Sequence, residues 1–378
     1  MIKPVFRRSI VQPFALLGVC LLLAACSGPS RPKPADIPAV PVLQDVRLKW
    51  SSDIGRIDFP LVLSVRDDRV AIGNAKGVVG LINAQTGQDV WRVALNTPLS
   101  AGVGSDGQQV AVVTRDNQLV VLKEGQVQWR QNLPAQSFTP PLVAGARVFV
   151  LTADRMVMAF DGATGRPLWN QQRAGEPLVL KQAGVLTAFK NTLLVGLSGR
   201  LMALNPDTGV VRWENTVATP RGINDMERLV DLVGPASRVD DVVCVRAFQS
   251  QVGCVNAEKG QLVWTRAAAG ELGVSGDDKV LVSTLSNGVV QAWQRANGER
   301  LWETERLKYR ALSAPLVTPR GIVIADSGGF LYLLSLADGA LLNRVKLSGD
   351  ALAAAPVRAN GVVVVVTQEG RLSGYDVP

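Results

Sequence analysis

The sequence has 378 residues, of which 47% are hydrophobic, and it carries 40 basic and 32 acidic side chains. This length and hydrophobic content suit a single large all-β domain with a buried core. The chain contains no histidine, which excludes the commonest general base, histidine metal sites and every serine–histidine device. Its basic residues are scattered and not interleaved with aromatics, so the charge does not indicate nucleic-acid binding.

The first 25 residues have the pattern of an export signal. Lys3, Arg7 and Arg8 precede an apolar stretch at residues 14–25, which is too short to span a bilayer. The stretch ends in Leu-Ala-Ala before Cys26 and is similar to the lipobox of bacterial lipoproteins, which predicts cleavage before Cys26 and acylation of its thiol. The alternative is an ordinary secretory signal with Cys26 incidental. Cleavage would lower the formal net charge from +8 to +5.

Residues 26–44 are predicted to form a tether between the lipid and the folded domain. Five prolines favour an extended polyproline II conformation, which advances about 3.1 Å per residue. We therefore expect the domain, residues 45–378, to be held off the membrane. The prolines are Pro29, Pro32, Pro34, Pro38 and Pro41.

A glycine-turn phrase recurs along the rest of the chain and predicts a repeat architecture. In six of seven copies a tryptophan follows the glycine by four residues, and Asn343 takes that place in the seventh. A period near 40 residues is typical of a solenoid or a propeller. The glycines are Gly87, Gly125, Gly165, Gly209, Gly260, Gly298 and Gly339.

Eight hairpins of alternating and β-branched residues can be placed in this period, each with room for two more strands. The sequence therefore predicts an all-β, eight-bladed propeller of four-stranded antiparallel blades. A helical repeat is excluded by the frequent glycine turns. A strand around Trp50 precedes the first hairpin, and we expect it to close the ring as the outer strand of the last blade.

The repeat tryptophans are predicted to be structural. Glycine supplies a turn conformation that other residues resist, and tryptophan is a large apolar plate that can pack between blades. Ligand stacking is the alternative role. These tryptophans are Trp50, Trp91, Trp129, Trp169, Trp213, Trp264 and Trp302.

Two cysteines lie symmetrically about Gln249 in the fifth hairpin. Cys244 and Cys254 should therefore face each other across a strand pair, within disulfide range. Export favours the bond, since disulfides persist outside the cytoplasm. The alternative is a pair of small buried thiols.

The longest irregularity is the interval between Gly209 and Gly260, where the excess falls in residues 217–238. A long loop in an otherwise regular array is a candidate functional site. It mixes charges with three apolar residues expected to be exposed, Met226, Leu229 and Leu232. The stretch 176–185, ahead of blade 4, is the second candidate. The alternative is that the leucines of this stretch belong to the inner strand of blade 4.

The glycine-tryptophan phrase resembles the docking motif of pyrroloquinoline-quinone dehydrogenases, which are also eight-bladed propellers. That resemblance implies a calcium-binding set, a catalytic aspartate and, in many members, adjacent cysteines. The adjacent cysteines are absent and the blades have few insertions to build a pocket. We therefore predict no enzymatic activity, no catalytic residue, no metal and no cofactor.

The lipobox, the proline-rich tether, the eight blades and the lengthened loop together resemble the BamB family of lipoproteins of the outer-membrane β-barrel assembly machinery, the BAM complex. The resemblance implies a non-catalytic scaffold on the periplasmic face of the outer membrane, anchored only by lipid. It also implies docking on the POTRA domains of BamA, contacts with other BAM subunits, and contacts with unfolded outer-membrane protein precursors. An inner-membrane retention signal would resemble aspartate at the position directly after the lipidated cysteine. This position holds Ser27, which fits sorting to the outer membrane.

The family's docking surface pairs a Leu-x-Leu-Arg-Gly stretch with an Arg-Leu-x-Asp-x-Asp loop. In this chain lysine replaces the arginine of the first stretch, Gln182 replaces its glycine, and Val233 replaces the second aspartate of the loop. Lysine is a point charge and lacks the bidentate fork of arginine, so we expect a more apolar contact. The implied docking residues are Leu178, Leu180, Lys181, Arg228 and Asp231. A propeller that binds a sugar or another protein is the remaining alternative.

Overall fold

Short antiparallel strands, joined by tight turns, make up nearly all of the chain after residue 46. The computed structural model describes residues 32–37, 42–173, 178–349 and 351–377, and the unit considered below is Ala35–Pro378. In those ranges we find no helical segment with the length and hydropathy of a bilayer-spanning helix. The predicted signal peptide and Cys26 lie outside the described residues.

The described residues form 32 strands, numbered in chain order. The first half comprises β1 (Arg47–Asp53), β2 (Ser64–Arg66), β3 (Arg69–Gly73), β4 (Val78–Asn83), β5 (Asp89–Ala94), β6 (Gly104–Ser105), β7 (Gln109–Val113), β8 (Gln118–Lys123), β9 (Gln126–Asn132), β10 (Leu142–Ala144), β11 (Arg147–Leu151), β12 (Met156–Asp161), β13 (Pro167–Gln172), β14 (Leu186–Phe189), β15 (Thr192–Leu197) and β16 (Arg200–Leu204). The second half comprises β17 (Val211–Thr216), β18 (Leu232–Val239), β19 (Val242–Ala247), β20 (Gln251–Asn256), β21 (Gln261–Ala267), β22 (Ser275–Gly276), β23 (Val280–Thr284), β24 (Val290–Gln294), β25 (Arg300–Thr304), β26 (Leu316–Thr318), β27 (Gly321–Ala325), β28 (Phe330–Leu334), β29 (Leu341–Lys346), β30 (Val357–Ala359), β31 (Val362–Val366) and β32 (Arg371–Asp376).

These strands form eight four-stranded antiparallel sheets, the blades of a closed propeller. Blades 1 to 7 take four consecutive strands each, from β2–β5 to β26–β29, and blade 8 has the order β1-β32-β31-β30. The register of β1 on β32 runs from Arg47 opposite Asp376 to Asp53 opposite Arg371. The predicted fold and the predicted ring closure by the strand of Trp50 are both confirmed.

The middle strands of each blade carry the core because both of their faces are covered by neighbouring blades. In β31 all five residues are valine and all are buried, as expected for β-branched residues packed on both sides. The outer strands instead alternate exposed and partly covered residues, as in β17. The inner strands surround a central channel of about 520 Å³.

Antiparallel order assigns every loop to one of two faces of the ring. The connections between blades and the turns between second and third strands share one face, here called the linker face. The turns between third and fourth strands, which hold the repeated glycines, lie on the opposite face, here called the glycine-turn face. Contacts between Arg310, in a blade connection, and Asp326, in a second-to-third turn, agree with this assignment.

Each repeat tryptophan packs on the glycine turn of the next blade. The glycines have φ between 63° and 76°, and at six of them an added Cβ would lie 2.4 to 2.7 Å from the ring of the preceding tryptophan. Trp213, for example, also donates its indole N–H to the carbonyl of Ala257, at 3.1 Å. Glycine is therefore required twice, by its own backbone and by its neighbour's side chain.

Asn343 departs from this pattern because blade 8 has no turn between its third and fourth strands. Its fourth strand, β1, comes from the other end of the sequence, so no glycine lies where a tryptophan at 343 would pack. The side-chain amide of Asn343 donates instead to the carbonyl of Gln44, at 2.6 Å. The chain that leads into β1 thus occupies the place of the missing turn.

Candidate functional site

The two candidate stretches lie side by side on the linker face. Residues 178–185 precede β14, and residues 217–231 connect β17 to β18. Gly184 forms an isolated antiparallel bridge with Val233, and the Gly234 N–H donates to the Ala183 carbonyl at 2.9 Å. Two stretches that are about 50 residues apart in sequence therefore form one continuous surface.

The first stretch is a loop held against blade 3. Because β14 begins at Leu186, its leucines do not enter the inner strand of blade 4. Arg155 is buried and donates from Nη2 to the Leu178 carbonyl, at 3.1 Å. The Leu178 side chain is 37% exposed and that of Leu180 is half-buried. The main chain is thus fixed while apolar side chains remain available to a partner.

Leu180 and Asp231 line the same cavity of about 40 Å³, together with Arg155 and Thr139. Lys181 does not reach this cavity. It is exposed and lines an open depression of about 610 Å³ together with Asp58 and Glu369. The structure therefore brings one leucine and the aspartate together and places the lysine towards the central channel.

Asp231 has contacts within the protein. Its carboxylate accepts a hydrogen bond from the Ser198 N–H at 3.2 Å, and its carbonyl accepts one from the Phe248 N–H at 2.9 Å. Arg228 is half-buried, and its N–H donates to the Asn224 carbonyl at 3.2 Å. Both residues therefore hold the conformation of the loop through hydrogen bonds, in addition to the charge that they contribute.

The apolar residues of the long loop divide between surface and core. Met226 is 74% exposed, as the sequence predicts, but Leu229 and Leu232 are buried at 8% and 1% exposure. The prediction that these two leucines are exposed is wrong, because the chain turns inward after Arg228 and Leu232 enters the core between blades 4 and 5.

Sequence reasoning missed Ile223, which is fully exposed at the tip of the loop. The tip is held by Glu227, whose carboxylate accepts hydrogen bonds from the Ile223 N–H at 2.8 Å and the Asn224 amide at 3.0 Å. An isoleucine within a polar, glycine-containing loop was the signal that could have identified it. Ile223 and Met226 are thus the exposed large apolar residues of the loop tip.

Cys244 and Cys254 face each other across β19 and β20, as the hairpin register requires. Their Cα atoms are 4.0 Å apart, and the structure joins the two sulfur atoms in a disulfide. Both residues are fully buried.

We predict that the native protein holds this pair oxidised. Thiol titration of unreduced, denatured protein should then find neither cysteine reactive, and prior reduction should expose two thiols. Two reactive thiols without reduction would show that the pair is a pair of buried thiols. The variant Cys244→Ser, with a single remaining thiol, calibrates the titration.

Among the described residues, no group of three or more cysteine, aspartate and glutamate side chains could hold a metal ion. A family model described as "Outer membrane protein assembly factor BamB" matches residues 75–304. The outer membrane protein assembly factor BamB of Burkholderia pseudomallei is 36% identical over 97% of this chain and 98% of its own length. The chain belongs to the BamB family. The family predicted from the lipobox, the tether and the repeat is confirmed.

Solved structures agree with the propeller fold. BamB from Moraxella catarrhalis superposes with a TM-score of 0.80 at 22% identity, covering 88% of this chain and all of that one. A quinohemoprotein alcohol dehydrogenase from Comamonas testosteroni superposes with a TM-score of 0.67 at 13% identity, covering 89% and 77%. At these identities both likenesses concern the fold only, so the BamB family and a quinone enzyme share the same blade architecture.

Proposed function

We propose that this chain is a non-catalytic scaffold lipoprotein of the outer-membrane protein assembly machinery that docks on the periplasmic POTRA domains of BamA. The observation that supports the docking site is the continuous surface formed by residues 178–184 and 217–231 on the linker face. This surface combines exposed apolar side chains with charges of both signs, the composition that favours a hot spot with charge-guided association.

The site is pre-organised for binding. Arg155 fixes the carbonyl of Leu178, and the Ser198 N–H fixes the carboxylate of Asp231, so a partner meets loops that are already shaped. Pre-organisation lowers the entropy cost of association. With Lys181 directed towards the channel depression, the apolar group of Leu178, Leu180, Ile223 and Met226 supplies the main contact area.

Membrane attachment follows from the predicted acylation of Cys26. A stable anchor needs more than one acyl chain, and the proline-rich residues after Cys26 link the anchor to the propeller. The proposed location is the periplasmic face of the outer membrane. Contacts with other BAM subunits and with unfolded barrel precursors belong to the same proposal.

Affinity purification of the membrane-anchored chain tests the proposed docking. The tagged full-length protein should be extracted from outer membranes in mild detergent, and we expect BamA to co-purify with it at near-stoichiometric yield. The variant Leu178→Ala, Leu180→Ala should recover less BamA. Its matched control, with Leu262→Ala and Leu301→Ala at two exposed leucines of outer strands, should recover BamA like the wild type. Recovery of the folded chain without BamA would contradict the proposal.

The non-catalytic role has its own test. Titration of the purified protein with pyrroloquinoline quinone, with and without calcium, should leave tryptophan fluorescence unchanged apart from the inner-filter effect. The comparison is a soluble quinone dehydrogenase titrated in parallel. Saturable quenching at micromolar quinone would mean that the propeller binds the cofactor.

A further inference from the structure

The segment before β1 is bonded to the connection between blades 6 and 7 and to the outer strand of blade 7. The Ala35 N–H donates to the Lys308 carbonyl at 2.9 Å, and the Leu43 N–H donates to the Leu342 carbonyl at 3.0 Å. We call residues 35–37 and 42–44 the strap. Its first part lies at the linker face and its second part near the start of β29, so part of the predicted tether is attached to the propeller.

Arg310, in the connection that leads into blade 7, and two side chains of that blade form a socket for the first carbonyl of the strap. Arg310 donates from Nε and Nη2 to the Ala35 carbonyl, at 2.9 and 2.6 Å. Its Nη1 donates to the Asp326 carboxylate at 2.9 Å, and the Tyr332 hydroxyl donates to the same carboxylate oxygen at 2.6 Å. We call Arg310, Asp326 and Tyr332 the carbonyl socket.

Burial of the Arg310 and Asp326 charges costs hydration free energy, and a hydrogen bond from Arg310 to a carbonyl offsets part of this cost. The Asp326 side chain is 1% exposed and that of Arg310 is 17% exposed, and a buried ion pair needs further hydrogen bonds to offset the lost hydration. Burial and the hydrogen bond to Asp326 raise the pKa of Tyr332 well above its usual range, so the hydroxyl remains a donor. The arginine donors that face away from Asp326 have the Ala35 carbonyl as their acceptor.

The backbone around Arg310 is shaped for this contact. Its two neighbours, Tyr309 and Ala311, both have φ in the left-handed region, 61° and 47°. That conformation costs about 1–3 kcal/mol for residues with a side chain. Strain on both sides of one arginine indicates that its orientation matters to the protein.

A second contact fixes the strap two residues further on. The Ile37 side chain packs against the core cluster of blades 6 and 7, which includes Leu307 and Tyr332. Arg344 donates from Nη1 to the Ile37 carbonyl at 3.1 Å. The strap therefore combines carbonyl recognition with an apolar anchor, as a bound extended peptide does.

We propose that the carbonyl socket is a binding site for the chain's own proline-bordered strap, and that its occupancy sets how many residues separate Cys26 from the first point of attachment to the propeller. The effect on membrane distance rests on the proposed acylation of Cys26. Nine residue steps separate Cys26 from Ala35, whereas 21 separate it from Arg47, where β1 begins. The corresponding maximum spans are about 30 Å and about 70 Å.

The strap also determines which face of the propeller is nearest to the point where the tether is attached. Ala35 is bonded at the linker face, where residues 178–184 and 217–231 lie, so the occupied socket keeps the docking surface within the short tether's reach of the lipid. Release of the strap would more than double that reach. It would also move the point of attachment to the start of β1, at the glycine-turn face, so the preference for the linker face would be lost. The socket thus couples anchoring to the presentation of the docking surface.

Hydrogen exchange of the full chain tests occupancy of the socket. We expect protection of the Ala35 and Leu43 amides in the wild type and loss of that protection in Ile37→Asp. Val42→Asp is the matched control, because Val42 lies in the strap but is 67% exposed, and it should retain protection. Arg310→Ala should also lose protection, and unchanged exchange in β27 and β28 would show that blade 7 remains folded.

Energy transfer to the membrane tests the effect on reach. A dye at Glu369→Cys on the linker face, or at Asn360→Cys on the glycine-turn face, is paired with a lipid acceptor in vesicles that hold the acylated protein. We expect greater transfer from position 369 than from 360 in the wild type, and a loss of this difference in Ile37→Asp.

The two measurements separate the outcomes. Unprotected Ala35 and Leu43 amides in the wild type would overturn the socket. Protected amides with the same transfer difference in Ile37→Asp would overturn its role in setting reach. Absence of the protein from vesicles would contradict the proposed acylation, whereas exchange protection would still support the socket.

Discussion

Replacing Gly260 with alanine is expected to destabilise the propeller by about 3 kcal/mol, the combined cost of a left-handed backbone and of overpacking. Gly260 has φ of 63°, and an added Cβ would lie 2.5 Å from Cγ of Trp213. The measurement is equilibrium urea unfolding followed by tryptophan fluorescence, in which the midpoint should fall while the slope is retained.

Gly361→Ala is the matched control for this prediction. Gly361 also has a positive φ, of 87°, but nothing lies within 4 Å of an added Cβ, so it carries the backbone cost alone. The excess cost at Gly260 should become smaller in a Trp213→Ala background, where the ring is gone and only the Cβ of residue 213 remains, 2.9 Å from the added Cβ. Equal destabilisation by Gly260→Ala and Gly361→Ala would mean that the tryptophan contact does not require glycine.

The double variant Leu178→Ala, Leu180→Ala is expected to weaken binding to the BamA periplasmic domains by about 2 kcal/mol, or about 30-fold in Kd. These leucines provide exposed apolar area on a loop whose backbone is fixed by Arg155. Titration of purified BamA POTRA domains against the variant, by calorimetry or interferometry, gives the affinity directly.

The control for the leucine variant removes the same chemistry elsewhere. Leu262→Ala with Leu301→Ala truncates two leucines that are 42% and 51% exposed on outer strands, and it should bind BamA like the wild type. Both double variants should retain the wild-type free energy of unfolding to within about 1 kcal/mol, since none of the four leucines lies in the buried core. Wild-type affinity of the Leu178/Leu180 variant would remove these residues from the site.

The fold could be predicted because each blade repeats the same physical requirement. A glycine turn at positive φ recurs seven times, with a tryptophan four residues later in six of the copies, and this repetition made the period clear. Closure by the strand of Trp50 followed from counting strands against turns. The sequence also isolated Asn343 as the exception, although only the structure shows that its amide bonds to Gln44.

The site was less predictable because its residues meet through long-range contacts. The proximity of Leu180 and Asp231 depends on the pairing of Gly184 with Val233, which no local pattern encodes. Leu229 and Leu232 look exposed in a charged loop, yet the chain buries them where it turns into β18. The binding of Ala35 by Arg310 joins residues 275 positions apart, and a proline-rich composition gave no sign of it.

Blade 8 is the one blade whose third and fourth strands are not joined by a glycine turn, and this seam sets where the segment that carries the proposed anchor leaves the ring. A covalent link from Asp376 to Arg47 would convert the seam into an ordinary turn, and new ends could be opened at any of the seven others. Each circular permutant would keep the same ring of tryptophan–glycine contacts, but its anchoring segment would begin at a different blade. The order of the strands along the sequence therefore sets which blade adjoins the proposed anchor, independently of how the ring is stabilised.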